Sequence, residues 1–505
     1  MRRSASSGPV ELPAGPRPER LSAGAAVVPD AFTEALTVTL GAAAVTATED
    51  ALDDAASDWW PLTALWATTG SVVARPAVVA RPADADQVAA VVRLAAAHRV
   101  PLTASSGRSG VCGGAVPLAG GLVVDLTALS GIVDLDETSM LARVRPGTFG
   151  DDLERDLGER GMTLGHWPQS VALSTVGGWV ACRSAGQYST RYGKIEDMVA
   201  GLSVVDGRGR VVRTGGAPRA ATGPDLTALF VGSEGTLGIV TEATLRLRPR
   251  PAGSGWAAYA FEEFGDGLDC VRRILRRGAD PAMLRLFDVA ESARNFGEDG
   301  CLLLVVDEGD EEAIDTNFGV VANEAHRTPR VRKKDRRLVG QWLEHRFDVS
   351  ALGRAVNAGL VVETVEVAAR WSALPGLYDG IVAAVGAVPG TFGVTAHCSH
   401  TYADGGCLYF TLAGASEEPD RYYVAALGAA MEATIAAGGA ISHHHGIGVA
   451  RAPWLAASLG EGAAAVLADL KADLDPAGIL NPGKLGLPSP FVPAGWDWTT
   501  AVGGR

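Results

Sequence analysis

Apolar and polar positions along the chain follow two rhythms, one near two residues and one near 3.6, and the switches between them outline the fold. "AVVARP" (77–82) is a short run suited to a strand. "ADADQVAAVVRLAAAHRV" (83–100) opens with acidic residues and then places Val88, Val91, Val92 and Ala95 at helical spacing. "PLTASSGRSGVCGG" (101–114) reads as a second strand feeding a glycine-rich loop. Farther on, "GLVVDLTAL" and "MLARVRPG" have the pattern of strands, and "TFGDDLERDLGERG" that of a helix with Gly161 as its stop. "AGLSVVDGRGRVVRTG" predicts a hairpin turning at Asp206 to Gly209. The strand "GIVTEATLRLRPRP" ends in prolines that mark a boundary near 250.

Alternation resumes after that boundary. "GLDCVRRILRRG" and "AALGAAMEATIAAGG" read as helices, "CLLLVVDEG" and "CLYFTLAG" as strands, which predicts a second α+β unit. Ahead of the first strand, residues 1 to about 20 are rich in Pro, Ser and Gly and are expected to be flexible. "SDWWPLTALWA" is the one strongly apolar stretch before residue 70 and reads as a docking segment. No internal repeat is present.

Composition narrows the class. The 505 residues are 47% apolar and 20% charged, enough for two or three domains with substantial cores. A formal net charge of −14 argues against a general binder of nucleic acid or anionic membrane, and the short basic run from Arg330 to Arg337 reads as a solvated face. The six cysteines form no C-x-x-C pair and no compact framework, the pattern of reduced thiols in a cytoplasm. The amino-terminal "MRRSASSGPV" lacks an apolar stretch behind its arginines, and no later window reaches about 18 apolar residues. A soluble cytoplasmic protein is expected.

Candidate chemistry concentrates in loops. "SSGRSGVCGG" (105–114) lets backbone N–H groups approach a pyrophosphate, yet fits neither G-x-G-x-x-G nor the Lys-containing phosphate loop. Three further stretches, 166–186, 188–199 and 231–249, are rich in glycine and hydroxyls. Together the four supply donors for a long cofactor with a diphosphate, a polyol chain and a polar ring. Near the carboxyl end, "SHHHGIG" puts three of the nine histidines in a row. On an extended segment His443 and His445 face one way and His444 the other, so one tetrahedral metal is awkward and no metal is expected, although His397 and His400 can join such a site.

The motifs "GRSGVCGG", "STVGGWVACRSAG", "RYGKIEDMV", "ATGPDL", "GSEGTLGIVTEATLRLRP", "SHHHGIG" and "NPGKLG" occur in this order, and over about residues 70–490 the chain resembles the FAD-binding oxidases of the vanillyl-alcohol-oxidase type, in the branch of alkylglycerone-phosphate (alkyldihydroxyacetone-phosphate) synthase. The resemblance implies an α+β fold with a two-subdomain FAD-binding domain and an α+β cap domain. The expected units are a 1–69 extension and docking segment, a 70–250 FAD-binding domain, a 251–490 cap and a 491–505 tail. Carried over residue by residue, Ser105, Ser106, Gly107, Arg108, Ser109 and Gly110 form the pyrophosphate loop. Gln169, Ser170, Ser174, Thr175, Gly178, Cys182, Arg183 and Ser184 line the phosphates and the flavin, and Glu234, Gly235, Thr236, Gly238, Ile239 and Val240 hold the remaining nucleotide end. The glycine loop has no His, which implies non-covalent FAD.

The resemblance also assigns proton transfer to His443, His444 and His445, with Arg285 near the flavin and Arg346 on the substrate. It implies a Tyr-Phe-Tyr run whose last tyrosine falls on Thr411 here, while Tyr409 survives. Threonine is too weak an acid to replace a phenol. The leading expectation is therefore an FAD-dependent oxidoreductase passing hydride from a hydroxyl-bearing small molecule to flavin N5. The alternative is the synthase, exchanging the acyl group of acylglycerone phosphate for a fatty alcohol through a flavin adduct. A non-catalytic flavin-binding protein is the third reading. Substrate, electron acceptor and a homodimeric state stay open.

Overall fold

The computed structural model describes residues 8–503 apart from 14, 16 and 25. Strands Val78–Ala80, Leu122–Asp125 and Leu102–Ser105 run parallel, with Val45–Thr46 antiparallel at the edge. Parallel neighbours need a crossover, and the helix Ala85–His98 supplies it. Asp84 caps that helix by accepting from Gln87 N at 2.7 Å, and Arg99 ends it in a left-handed conformation. Val88, Val91, Val92 and Ala95 are buried on the sheet, the face their spacing predicts. The chain therefore leaves Ser105 at the carboxyl end of a strand, where the glycine loop begins.

The second sheet is antiparallel, in the order Ile132–Asp136, Leu141–Val144, Ile239–Arg246, Val199–Val205 and Val211–Arg213. Its hairpin turns where the sequence predicts, with Gly209 N donating to Asp206 O at 2.9 Å and Gly209 at φ 73°. Helices Gly150–Gly158 and Val176–Cys182 share its core. They approach closely because residue 150 has no side chain: a Cβ there would come within 2.5 Å of the Trp179 ring.

Residues 253–414 form a seven-stranded antiparallel sheet, ending in the order Met283–Phe287, Thr391–Ser399, Gly405–Gly414, Val361–Arg370. Strand Cys301–Gly309 is covered on both faces, which explains its unbroken apolar run. Leu303 and Val305 belong to the core beneath the helices of this unit, whereas Leu302, Leu304 and Val306 join the core of the second sheet. The third sheet thus packs its second face directly on the earlier layers.

The amino-terminal region departs from expectation. Residues 1–7 lie outside the described residues, but Val10 is buried against Ala64, Ala67 and Val356, and Arg17 pairs with Asp53 at 2.9 Å. Trp60 and Trp498, from opposite ends of the chain, meet edge to face at 5.2 Å, so the carboxyl tail is also built into the core. All six cysteines are free. Among the described residues no helix is long and apolar enough to cross a membrane.

One buried acid makes the fold pH-sensitive. Glu154 accepts from Thr163 Oγ1 at 2.7 Å, Leu164 N at 3.1 Å and Gly165 N at 3.2 Å, yet burial pushes its carboxyl up to about 7. A raised carboxyl contributes most stability below its ordinary range and loses that contribution as pH rises through about 7. In Glu154→Gln the amide oxygen keeps the backbone donors and its NH2 faces Thr163, so the variant should gain about 2 kcal/mol on wild type between pH 5 and pH 8. Urea denaturation at the two pH values measures the difference.

Candidate active site

The glycine loop opens into a cleft that runs between the three larger sheets, from Ile239 and Val240 at one end to Tyr409, His444 and His445 at the other. Gly107 is required where it stands, since a Cβ would fall 2.2 Å from Leu173 O. Ser106 Oγ lies 2.5 Å from Thr175 Oγ1, tying the loop to the helix that follows. Ser105 Oγ and Arg108 Nε are buried beside the cleft without a partner among the described residues. Unsatisfied buried polar atoms of this kind call for a polar ligand, and a dinucleotide supplies one.

Glu234, at φ 50°, lies on the same wall. Its carboxylate accepts from Ile447 N at 2.6 Å and Gly448 N at 2.8 Å, while Asn481 Nδ2 donates to Glu234 O at 2.6 Å and Gly114 O at 3.0 Å. The nucleotide loops and the turn after the histidines are therefore one hydrogen-bonded unit.

The third sheet brings the remaining chemistry. Register places Glu366, Tyr409 and His397 on one rung of three adjacent strands, on the same face. Tyr409 stacks on His397 at 4.9 Å and 12°, and meets His445 edge-on at 5.5 Å. His397 Nε2 is 2.6 Å from Arg285 Nη2, and its Nδ1 is 3.2 Å from Glu291. Burial pushes the Tyr409 phenol up, so it stays protonated.

The histidines do not sit on an extended segment. Their chain wraps around Glu366, whose Oε1 accepts from Ser442 Oγ at 2.7 Å, His443 N at 3.2 Å, His444 N at 2.9 Å and His445 N at 2.6 Å. Arg451, fully enclosed, pairs with the other oxygen. Burial drives Glu366 upward, but Arg451 and His445 outweigh it and hold the carboxyl well below its usual range. His445 Nδ1 lies 3.1 Å from Glu366 Oε2. The expected alternation of faces is overturned: His443 Nδ1 and His444 Nδ1 are 3.0 Å apart, and with His400 they offer ring nitrogens within 4.8 Å of one another. The extended-strand argument against a shared ion thus fails for this trio, whereas His397 is turned away to Arg285 and Glu291. Desolvation by burial holds His400, His443 and His444 neutral, well below the ordinary imidazole range.

Residues 76–215 match the family model for the FAD binding domain, and residues 250–485 that for the C-terminal domain of FAD linked oxidases. The chain belongs to the FAD-linked oxidases of the vanillyl-alcohol-oxidase type. Its cofactor is FAD, and it is an enzyme of the FAD-linked oxidoreductase class. It is 33% identical over 431 residues to the uncharacterized FAD-linked oxidoreductase YgcU of Escherichia coli (strain K12), covering 81% of this chain and 89% of that one. It is 30% identical over 408 residues to alkyldihydroxyacetonephosphate synthase of Caenorhabditis elegans, covering 72% and 67%. A solved alkyldihydroxyacetonephosphate synthase shares the fold with a TM-score of 0.74 at 23% identity over 94% of this chain and 88% of that one.

Of the residues expected on the cofactor, Ser105 to Gly110, Gln169, Ser170, Ser174, Thr175, Gly178, Cys182, Ser184, Glu234, Gly235, Gly238, Ile239 and Val240 line the cleft. Arg183 and Thr236 do not. Arg183 adopts φ 54° at a helix end, which swings its side chain to Glu196 at 3.0 Å, and Thr236 Oγ1 closes its own turn on Ser233 O. His443 and Arg285 stand behind the lining residues, and Thr411 lies one pair along from Tyr409 without reaching the cleft. Arg346 lies in a separate cavity with Glu154, Trp167 and Glu308, its guanidinium 4.4 Å from the Phe347 ring and 4.8 Å from Tyr188. Sequence reasoning missed Glu366, Arg451 and Trp59. Glu363 and Glu366 in the apolar run "VVETVEVAA" were the available signal, because acids in a buried strand need partners.

Removing one partner of a buried pair strands the other charge. Arg451→Met should therefore cost about 3–5 kcal/mol in urea denaturation of the FAD-loaded protein, whereas Arg421→Met, which breaks an exposed pair with Glu418, should cost under about 1 kcal/mol.

Proposed function

We propose that the chain oxidises a small hydroxyl-bearing molecule, with His445 as the base. The observation that carries this reading is the 3.1 Å approach of His445 Nδ1 to the Glu366 carboxylate. The Glu366 charge beside that nitrogen, at ion-pair distance, stabilises the imidazolium that forms when Nε2 takes the substrate proton. FAD, when bound, supplies the two-electron acceptor.

Tyr409, kept protonated by burial, donates a hydrogen bond to the substrate oxygen, and its stack on His397 fixes the ring. Arg285 keeps a positive charge behind that stack and favours negative charge as it develops. FAD is held without a covalent link: the thiols of Cys112 and Cys182, which flank the cleft, are pushed up by burial and carry little nucleophilic thiolate. Redox-neutral ether-lipid synthesis is the second reading, favoured by the similarity to alkyldihydroxyacetonephosphate synthases. Thr411 weighs against it, because no second phenol stands on that strand face.

Anaerobic absorbance separates the two. Hydroxy acids, aromatic alcohols and acylglycerone phosphate are added in turn to the FAD-loaded protein. Bleaching of the oxidised flavin band by a hydroxyl substrate supports the oxidoreductase. Ether-lipid formation from acylglycerone phosphate and fatty alcohol, with no hydroxyl substrate bleaching the flavin, would overturn it. With the bleaching substrate in hand, His445→Ala should slow the reductive step about 100- to 10,000-fold, and Arg285→Ala should slow it as well, with FAD still bound in both.

A further inference from the structure

We infer that the segment Asp54–Trp60, which precedes the stretch matched by the FAD-binding family model, is part of the cofactor site, and that the Trp59 indole contacts the flavin ring system. The segment grips the glycine loop at three points. Trp59 N donates to Gly110 O at 2.8 Å, Asp54 pairs with Arg108 at 2.5 Å, and Ala115 N lies 3.5 Å from Asp58 Oδ2. Asp58 is wholly buried and its other oxygen accepts from Trp60 N at 3.0 Å, so carboxylate, loop and tryptophan pair move as one body.

The two adjacent tryptophans have opposite fates. Trp60 is fully enclosed, donates Nε1 to Tyr423 Oη at 2.7 Å and packs edge-on against Trp66 and Trp498. Trp59 bonds the glycine loop through its backbone and stands partly buried on the cleft wall, and among the described residues its ring has no aromatic neighbour and its indole nitrogen no acceptor. A large aromatic face kept at a cleft wall with no aromatic or hydrogen-bonding partner among the described residues is suited to stack on a planar ligand.

The loop it rides on also places it along the cleft. Cys112 O accepts from Val449 N at 2.9 Å and Ala450 N at 3.0 Å, just after the histidine turn. Trp59 is bonded to Gly110, two residues before Cys112, which sets it on the stretch of wall where the glycine loop meets the turn after the histidines. The inference rests on FAD as cofactor and is independent of the substrate.

The test is titration of apoprotein with FAD, followed by flavin fluorescence, for the full-length wild type, Trp59→Phe and Trp59→Ala, with a melting curve of each apoprotein. Stacking on a planar ring contributes about 1–3 kcal/mol, so Trp59→Ala should raise the dissociation constant about tenfold and alter the fluorescence of bound flavin. Trp59→Phe should stay within about threefold. Wild-type affinity in Trp59→Ala overturns the inference. Should Trp59→Ala fail to fold, Trp59→Leu takes its place, keeping bulk without an aromatic face, and wild-type affinity there overturns it equally. Failure of the wild type to bind FAD would instead overturn the cofactor, and the inference with it.

Discussion

One carboxylate organises the histidine end of the cleft. Glu366 lies in the middle of a sheet, where an isolated charge costs several kcal/mol, and it persists because its surroundings supply a cation and a ring of donors. The backbone N–H groups of His443, His444 and His445 belong to that ring. The charge therefore dictates the path of the chain, and the chain dictates where three imidazoles point. Arg451 closes the arrangement from below and donates to Ile441 O at 2.8 Å, pinning the start of the turn as well.

The same residue links the site to the fold. Antiparallel register sets Glu366 opposite Tyr409 and Tyr409 opposite His397, so a slip of one residue on the middle strand would turn Tyr409 to the helix-covered face. That register is secured by apolar residues on the opposite face, among them Leu408, Phe410 and Leu412 beneath the helices. Packing far from the cleft thus determines which groups face it. On the other side Glu234 performs the corresponding task, fastening the nucleotide loop to the turn after the histidines.

Legibility in the sequence followed the range of the interaction concerned. The strand, helix, strand and loop leading to Ser105, and the hairpin at Asp206, are written in local spacing and turn chemistry, and the structure has them in place. The glycine- and hydroxyl-rich stretches were equally visible as loops. What local pattern could not carry was direction. Arg183 looked like a phosphate ligand until its left-handed backbone turned it to Glu196. The histidine triplet looked like alternating faces because its governing contact, Glu366, lies 77 to 79 residues away in sequence. The segment before residue 70 offered only an apolar run, and its role depends on partners as distant as Tyr423 and Trp498.

Charge balance within the site then discriminates between the histidines. Arg451 and Arg285 face Glu366 and Glu291, so the cations and anions near the rings offset one another. In such a balanced, dry setting an imidazole that takes up a proton needs a carboxylate at its other nitrogen. His443 and His444 face each other and His400 faces Ser189, with no acid at their rings, whereas Lys194 reaches His443 O and adds positive charge. His445 alone of the triplet has Glu366 beside a ring nitrogen while also lining the cleft. The proposed role of base therefore falls to His445, the member of the triplet that has both a carboxylate beside its ring and a place on the cleft wall, while His443 and His444 are held neutral by burial.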